Sequence, residues 1–110
     1  MPTPKMYRSS GMEDDEKALP EAGLGYLERF EGYLVEAGHV DFVVRAWCKR
    51  GESDLASSSD RSGYYVGASD LARAMRYPGG EGLAREVADR MRRAFPRRSA
   101  MKDELRKVGL

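Results

Sequence analysis

The chain has 110 residues, 41% hydrophobic and 34% charged, with 19 Lys+Arg against 18 Asp+Glu and a formal net charge of +1. That length points to one domain, able to bury roughly 60–70% of its unfolded surface in a single core. No apolar run approaches the roughly 18 residues that a membrane helix needs, which excludes a helical integral membrane protein.

The opening Met1-Pro2-Thr3-Pro4-Lys5 has no apolar core behind its lysine, so no secretory signal peptide is expected. Residues 1–17 end in the acidic run Glu13-Asp14-Asp15-Glu16 and hold little to bury, which reads as a flexible acidic tail before a helical domain at 18–110. Pro20 and Glu21 suit a first helical turn. Leu24, Leu27, Leu34 and Ala37, with Tyr26, Phe30 and Tyr33 beside them, predict an amphipathic helix over 20–37 that stops at Gly38.

Residues 40–48 lean to a helix, with a strand as the alternative. Val40, Val43, Val44 and Trp47 make a helical stripe, whereas the β-branched and aromatic content favours a strand. Gly51 to Gly63, with Ser57-Ser58-Ser59-Asp60, reads as a loop, and Tyr64-Tyr65-Val66 as a short extended piece. Ser69 and Asp70 form a helix start, and Pro78-Gly79-Gly80 a stop. Leu83, Val87, Met91 and Phe95 recur every four residues and predict a helix over 81–95, with Glu86–Arg90 and Asp89–Arg93 as i,i+4 pairs. Pro96 ends it, and Ser99 caps a last helix that carries Met101, Leu105 and Val108 and stops at Gly109. The fold class expected is a mainly α, small single-domain helical bundle, with room for a short β element around 40–47 and 64–66.

The residues offer little for catalysis. One His39 and one Cys48 make neither a zinc site, which needs four ligands, nor a convincing nucleophile pair. Cys48 follows Trp47 in an apolar stretch, where a cysteine packs as a small hydrophobe. No metal, cofactor or enzymatic activity is expected. A lone cysteine supports no internal disulfide, so the expected setting is the cytoplasm.

Net charge conceals an asymmetry. Residues 1–44 carry four basic and nine acidic groups, a net −5; residues 45–110 carry fifteen basic and nine acidic, a net +6. Arg85, Arg90, Arg92, Arg93, Arg97, Arg98 and Lys102 therefore form the candidate surface for nucleic acid or another polyanion, with Arg92, Arg93, Arg97 and Arg98 at its centre. The competing reading is a protein-interaction module or small inhibitor of another macromolecule, docking through its acidic N-terminal half and the aromatic helix. Solvated or internally paired arginines are the plainer alternative, and a homo-oligomer is not indicated.

Asp70-Leu71-Ala72-Arg73-Ala74-Met75 resembles the first helix of helix-turn-helix proteins, where a small residue such as Ala72 permits close helix packing. The resemblance spans about a quarter of the chain, residues 69–94. It implies that the following helix enters the major groove with Glu81, Gly82 and Arg85 at base edges, Arg85 being the one suited to guanine. The intervening Arg76-Tyr77-Pro78-Gly79-Gly80 is longer than that family's turn, and its glycines come late.

Overall fold

The computed structural model describes residues 24–110, with side chains from Leu27 onward. These residues form five helices and no strands: α1 (Leu24–Glu36), α2 (Val40–Ser57), α3 (Arg61–Ala74), α4 (Gly80–Ala94) and α5 (Ser99–Lys107). The expected acidic tail (1–17) and the Pro20-Glu21 helix start lie outside the described residues.

α1 ends where a glycine allows the backbone to reverse. Gly38 has φ +90°, a conformation that costs an L side chain energy but glycine nothing. Its N–H donates to Val35 O at 3.1 Å and that of His39 to Leu34 O at 2.8 Å, which satisfies the last carbonyls of the helix. The chain then turns directly into α2.

α2 is the hub, packed by α1, α3 and α4, while α3 also meets α4 and α5. Trp47, Leu27, Leu55, Leu71, Met101, Leu105 and Val43 are the largest fully buried side chains, so every helix except α4 sends a large one to the centre. α4 contributes Ala84, Val87, Ala88 and Met91 instead. Burial of an aliphatic side chain of this size contributes about 1.5–3 kcal/mol relative to exposure.

Two expectations need correction. Residues 40–47 belong to α2, the favoured of their two readings, so the short β element allowed there and at Tyr64-Tyr65-Val66, which lie in α3, does not form. The loop expected over 51–63 is only Ser58–Asp60, because α2 continues to Ser57 and α3 starts at Arg61 rather than Ser69. The start signal is Asp60, whose Oδ1 accepts the Gly63 N–H at 3.0 Å. The physical reason for the longer helices lies in Gly51 and Gly67, which mark where α2 and α3 cross. A Cβ built on Gly51 would sit 2.7 Å from Leu71 Cδ2 and 3.0 Å from Gly67 O; one on Gly67 would sit 2.7 Å from Leu55 Cγ. These glycines let each helix receive the other's leucine, and that packing outweighs the ~1 kcal/mol per glycine that local propensity charges against a helix.

α4 and α5 follow the sequence closely. Gly79 flanks α4, whose first turn carries Glu81 and whose last carries Arg92 and Arg93, both favourable to the helix dipole. Ser99 opens α5 without capping it; Arg98 is the flanking residue and no side chain caps the turn.

Candidate functional site

The seven basic residues singled out in the sequence have very different surroundings. Arg85 donates to Glu81 Oε2 at 3.1 Å and to Gly109 O at 3.3 Å. Arg90 makes a two-bond fork with Glu52 of α2, Nε to Oε2 at 2.9 Å and Nη2 to Oε1 at 3.1 Å, in place of the expected pair with Glu86. Asp89 pairs with Arg92 at 3.0 Å rather than with Arg93, and Arg92 also donates to the Leu110 carbonyl. Arg98 turns inward: its Nη1 donates to Leu55 O at 2.8 Å and its guanidinium lies 3.7 Å from the Phe95 ring centroid. It closes the C-terminal end of α2, whose carbonyls would otherwise lack donors. Arg93 and Arg97 are exposed, and Lys102 half-buried; none of the three has an ion pair with a described residue. The arginines of the final third are thus divided between internal ties and open water.

The segment that resembles a helix-turn-helix start, Asp70 to Met75, is the last part of α3 and its C-cap, and the principal packing partner of α3 is α2 rather than α4. Arg85, the implied guanine reader, is held by Glu81.

A groove of about 210 Å³ runs between α2 and α4. Arg45 and Lys49 of α2 and Arg90 of α4 form its cationic rim, with Glu52 the single carboxylate among the lining residues. Cys48, Leu83 and Val87 make an apolar floor. Arg45, Cys48, Lys49 and Glu52 are spaced at i, i+3, i+4 and i+7, one face of one helix. That spacing was available in the sequence, but ending α2 near residue 50 hides the face. Burial and, secondarily, the nearby Glu52 carboxylate push the Cys48 thiol up to about 11, so it stays protonated and unreactive at neutral pH. A nucleophilic role has no support from this geometry.

A second cluster is buried where α2 meets α3. Asp70 is 3% exposed, and the Asp54 carboxyl is near enough to act on it. Neither Asp54 Oδ2 nor Asp70 Oδ2 receives a hydrogen bond from another described side chain or backbone group. Burial first, and the Asp54 carboxyl next, push the Asp70 carboxyl up to about 8. Arg50 and Arg73 act in the opposite direction. The Arg73 guanidinium lies 4.7 Å from the Trp47 ring centroid and reaches Glu28 of α1 at 3.0 Å and Glu31 at 3.9 Å. Glu31 also accepts the Tyr77 hydroxyl.

The chain matches no protein-family model, no curated protein and no solved structure. Among the described residues no helix is long and apolar enough to cross a membrane, and no three His, Cys, Asp or Glu side chains gather as metal ligands.

Proposed function

We propose that this protein is a non-enzymatic binding module that holds the phosphate backbone of nucleic acid along the seam between α2 and α4. The observation that carries this reading is the groove between α2 and α4, where Lys49 and Arg90, beside an Arg45 that is itself engaged, meet one lining carboxylate, Glu52. Arg93 and Arg97, both exposed and outside the groove lining, are further cations open to a phosphate. Arg90 does not have to be free at the start. Its pair with Glu52 is half-exposed, at 49% and 33%. Such a pair is worth about 0–1 kcal/mol, so a phosphate displaces the carboxylate at little cost. Arg92 and Arg98, central in the sequence reading, serve the fold instead. A cytoplasmic setting belongs to the same proposal, since Cys48 has no partner for an internal disulfide.

Titrating the chain with a short DNA duplex over a series of salt concentrations tests it. Neutralisation of about three phosphates gives a slope of log K against log salt of roughly −2.7. Lys49→Glu combined with Arg97→Glu should weaken binding uniformly across sequences and flatten that slope. Salt-independent binding, or binding indifferent to the double reversal, removes the reading.

One observation favours a protein partner as a second reading: Tyr33 on α1, in the acidic half, is 71% exposed. Tyr33→Asp would then abolish co-purification of the partner while leaving the DNA titration unchanged.

A further inference from the structure

The groove between α2 and α4 has a fitting occupant in this chain's own sequence. Its rim carries Arg45, Lys49 and Arg90 against the one lining carboxylate, Glu52, so the lining is net cationic. Lys49 is exposed and has no ion pair with a described residue. The floor of Cys48, Leu83 and Val87 is apolar. An occupant that suits both parts is an acidic stretch bordered by apolar side chains. Glu13-Asp14-Asp15-Glu16 places four carboxylates side by side, with Met12 just before them and Leu19 three residues after.

Reach decides whether the two can meet. The Arg73 guanidinium holds Glu28 at 3.0 Å and lies 4.7 Å from the Trp47 ring centroid, which ties the first part of α1 to the middle of α2. Glu28 is one turn beyond Leu24, where α1 starts, and Trp47 is two residues before Lys49. α1 therefore begins at the level of α2 that supplies Arg45, Cys48 and Lys49 to the groove. The path from Leu24 to the groove passes round one helix, about 10–12 Å across. Eight residue steps lead from Glu16 to Leu24. An extended chain covers up to about 3.3–3.6 Å per residue, so this tether spans up to about 26–29 Å. A tether of that length keeps the run at a local concentration of the order of mM, so a weak affinity is enough for substantial occupancy.

We propose that the acidic run Glu13–Glu16 docks into the α2–α4 groove of its own chain, its carboxylates on Lys49 and Arg90, and holds the groove until a stronger polyanion displaces it. This rests on reading the groove as a seat for anions, and it names what sits there when no nucleic acid is bound. Arg90 exchanges Glu52 for the incoming carboxylate at little cost, since that pair is half-exposed. Docking between exposed charges fades as salt rises.

Carbodiimide condensation of the full-length chain tests the docking, because the reagent joins a carboxylate to an amine only where the two are in contact. At low salt and low protein concentration, residues 13–16 should be joined to Lys49 several-fold more often than to Lys107, which is 65% exposed but lies on α5, outside the groove lining. The preference should vanish at about 1 M salt, where the Debye length is about 3 Å. Lys49→Arg, which keeps the charge and removes the amine, should abolish that cross-link. In a DNA titration at low salt, the chain with Glu13→Gln, Asp14→Asn, Asp15→Asn and Glu16→Gln together should bind about three- to tenfold tighter than the parent, the gain from removing a tethered competitor of mM effective concentration. That gain should shrink once Lys49→Glu has removed the docking partner. Cross-links spread evenly over Lys49 and Lys107, cross-links formed only between copies, or a gain that Lys49→Glu leaves undiminished overturns the proposal. Indifference of both chains to DNA removes the phosphate reading of the groove instead, and a Lys49 cross-link within one chain still establishes the docking.

Discussion

Arg98 illustrates how a charged side chain can be spent on the fold. Its guanidinium donates to Leu55 O and Ala56 O and lies against Phe95. Hydrogen bonds from a charged donor contribute about 1.5–3 kcal/mol, so Arg98→Ala should lower the unfolding free energy by an amount in that range, read as a fall in the urea midpoint with the m-value unchanged. Arg93→Glu and Arg97→Glu, at exposed sites with no ion pair to a described residue, should move stability by less than about 0.5 kcal/mol while weakening DNA binding. Asp70 makes the opposite kind of prediction. Its pKa rises from 3.8 to about 8 on folding, so the folded state holds a proton that the unfolded chain releases. The stability this supplies is complete below about pH 4 and is lost as pH rises through about 8. Asp70→Asn, which is neutral at every pH, should therefore match the parent near pH 4. Above about pH 8 it should exceed the parent by about 1–3 kcal/mol in urea unfolding. Glu104 has the reverse sign: hydrogen bonds from Arg61 and Lys107 hold its carboxyl below the usual range, so its contribution is lost on acidification.

At the level of elements, the α2–α3 crossing carries the clearest test. Gly51→Ala places a Cβ 2.7 Å from Leu71 Cδ2 and 3.0 Å from a backbone carbonyl that has little room to retreat. Overpacking of this kind costs about 1–3 kcal/mol, more than the ~1 kcal/mol that alanine gains in helix propensity, so the variant should be destabilised. Gly82→Ala in α4 meets nothing within 4 Å and should be stabilised by up to about 1 kcal/mol. Thermal unfolding of the two variants distinguishes a packing glycine from an incidental one. The same contrast explains what could be read from the sequence. α4 and α5 were legible because their apolar residues recur every four positions and Pro78, Pro96 and Gly109 bound them. Gly38 marked the end of α1 for the same reason. The second half of α2 and the first of α3 were hidden because Gly51, Gly63 and Gly67, with the serines between them, look like a loop to any rule based on local preference. Only the facing leucines, Leu55 and Leu71, show why glycine is wanted there, and that relation is tertiary. The groove was lost by the same step, since Lys49 and Glu52 share a helical face only if α2 runs past Gly51.

For the whole molecule, the charges of the described residues do not sort into one acidic and one basic face. Much of the charge is consumed where helices meet: Arg90 with Glu52, Arg61 with Asp103 and Glu104, Arg73 with Glu28 and Glu31. Counting arginines by position overstates the open positive surface, because position along the chain says nothing about which carboxylate lies across the interface. Lys49, absent from the basic cluster of the final third, becomes one of the cations a phosphate would meet. The buried Cys48 gives this arrangement a practical use. It is the chain's one thiol, set in the floor between α2 and α4 and kept protonated by its surroundings. A maleimide added to the folded protein would therefore label it only during excursions that part those two helices, so the labelling half-life is a clock for how often the seam breathes, read without introducing a foreign reporter.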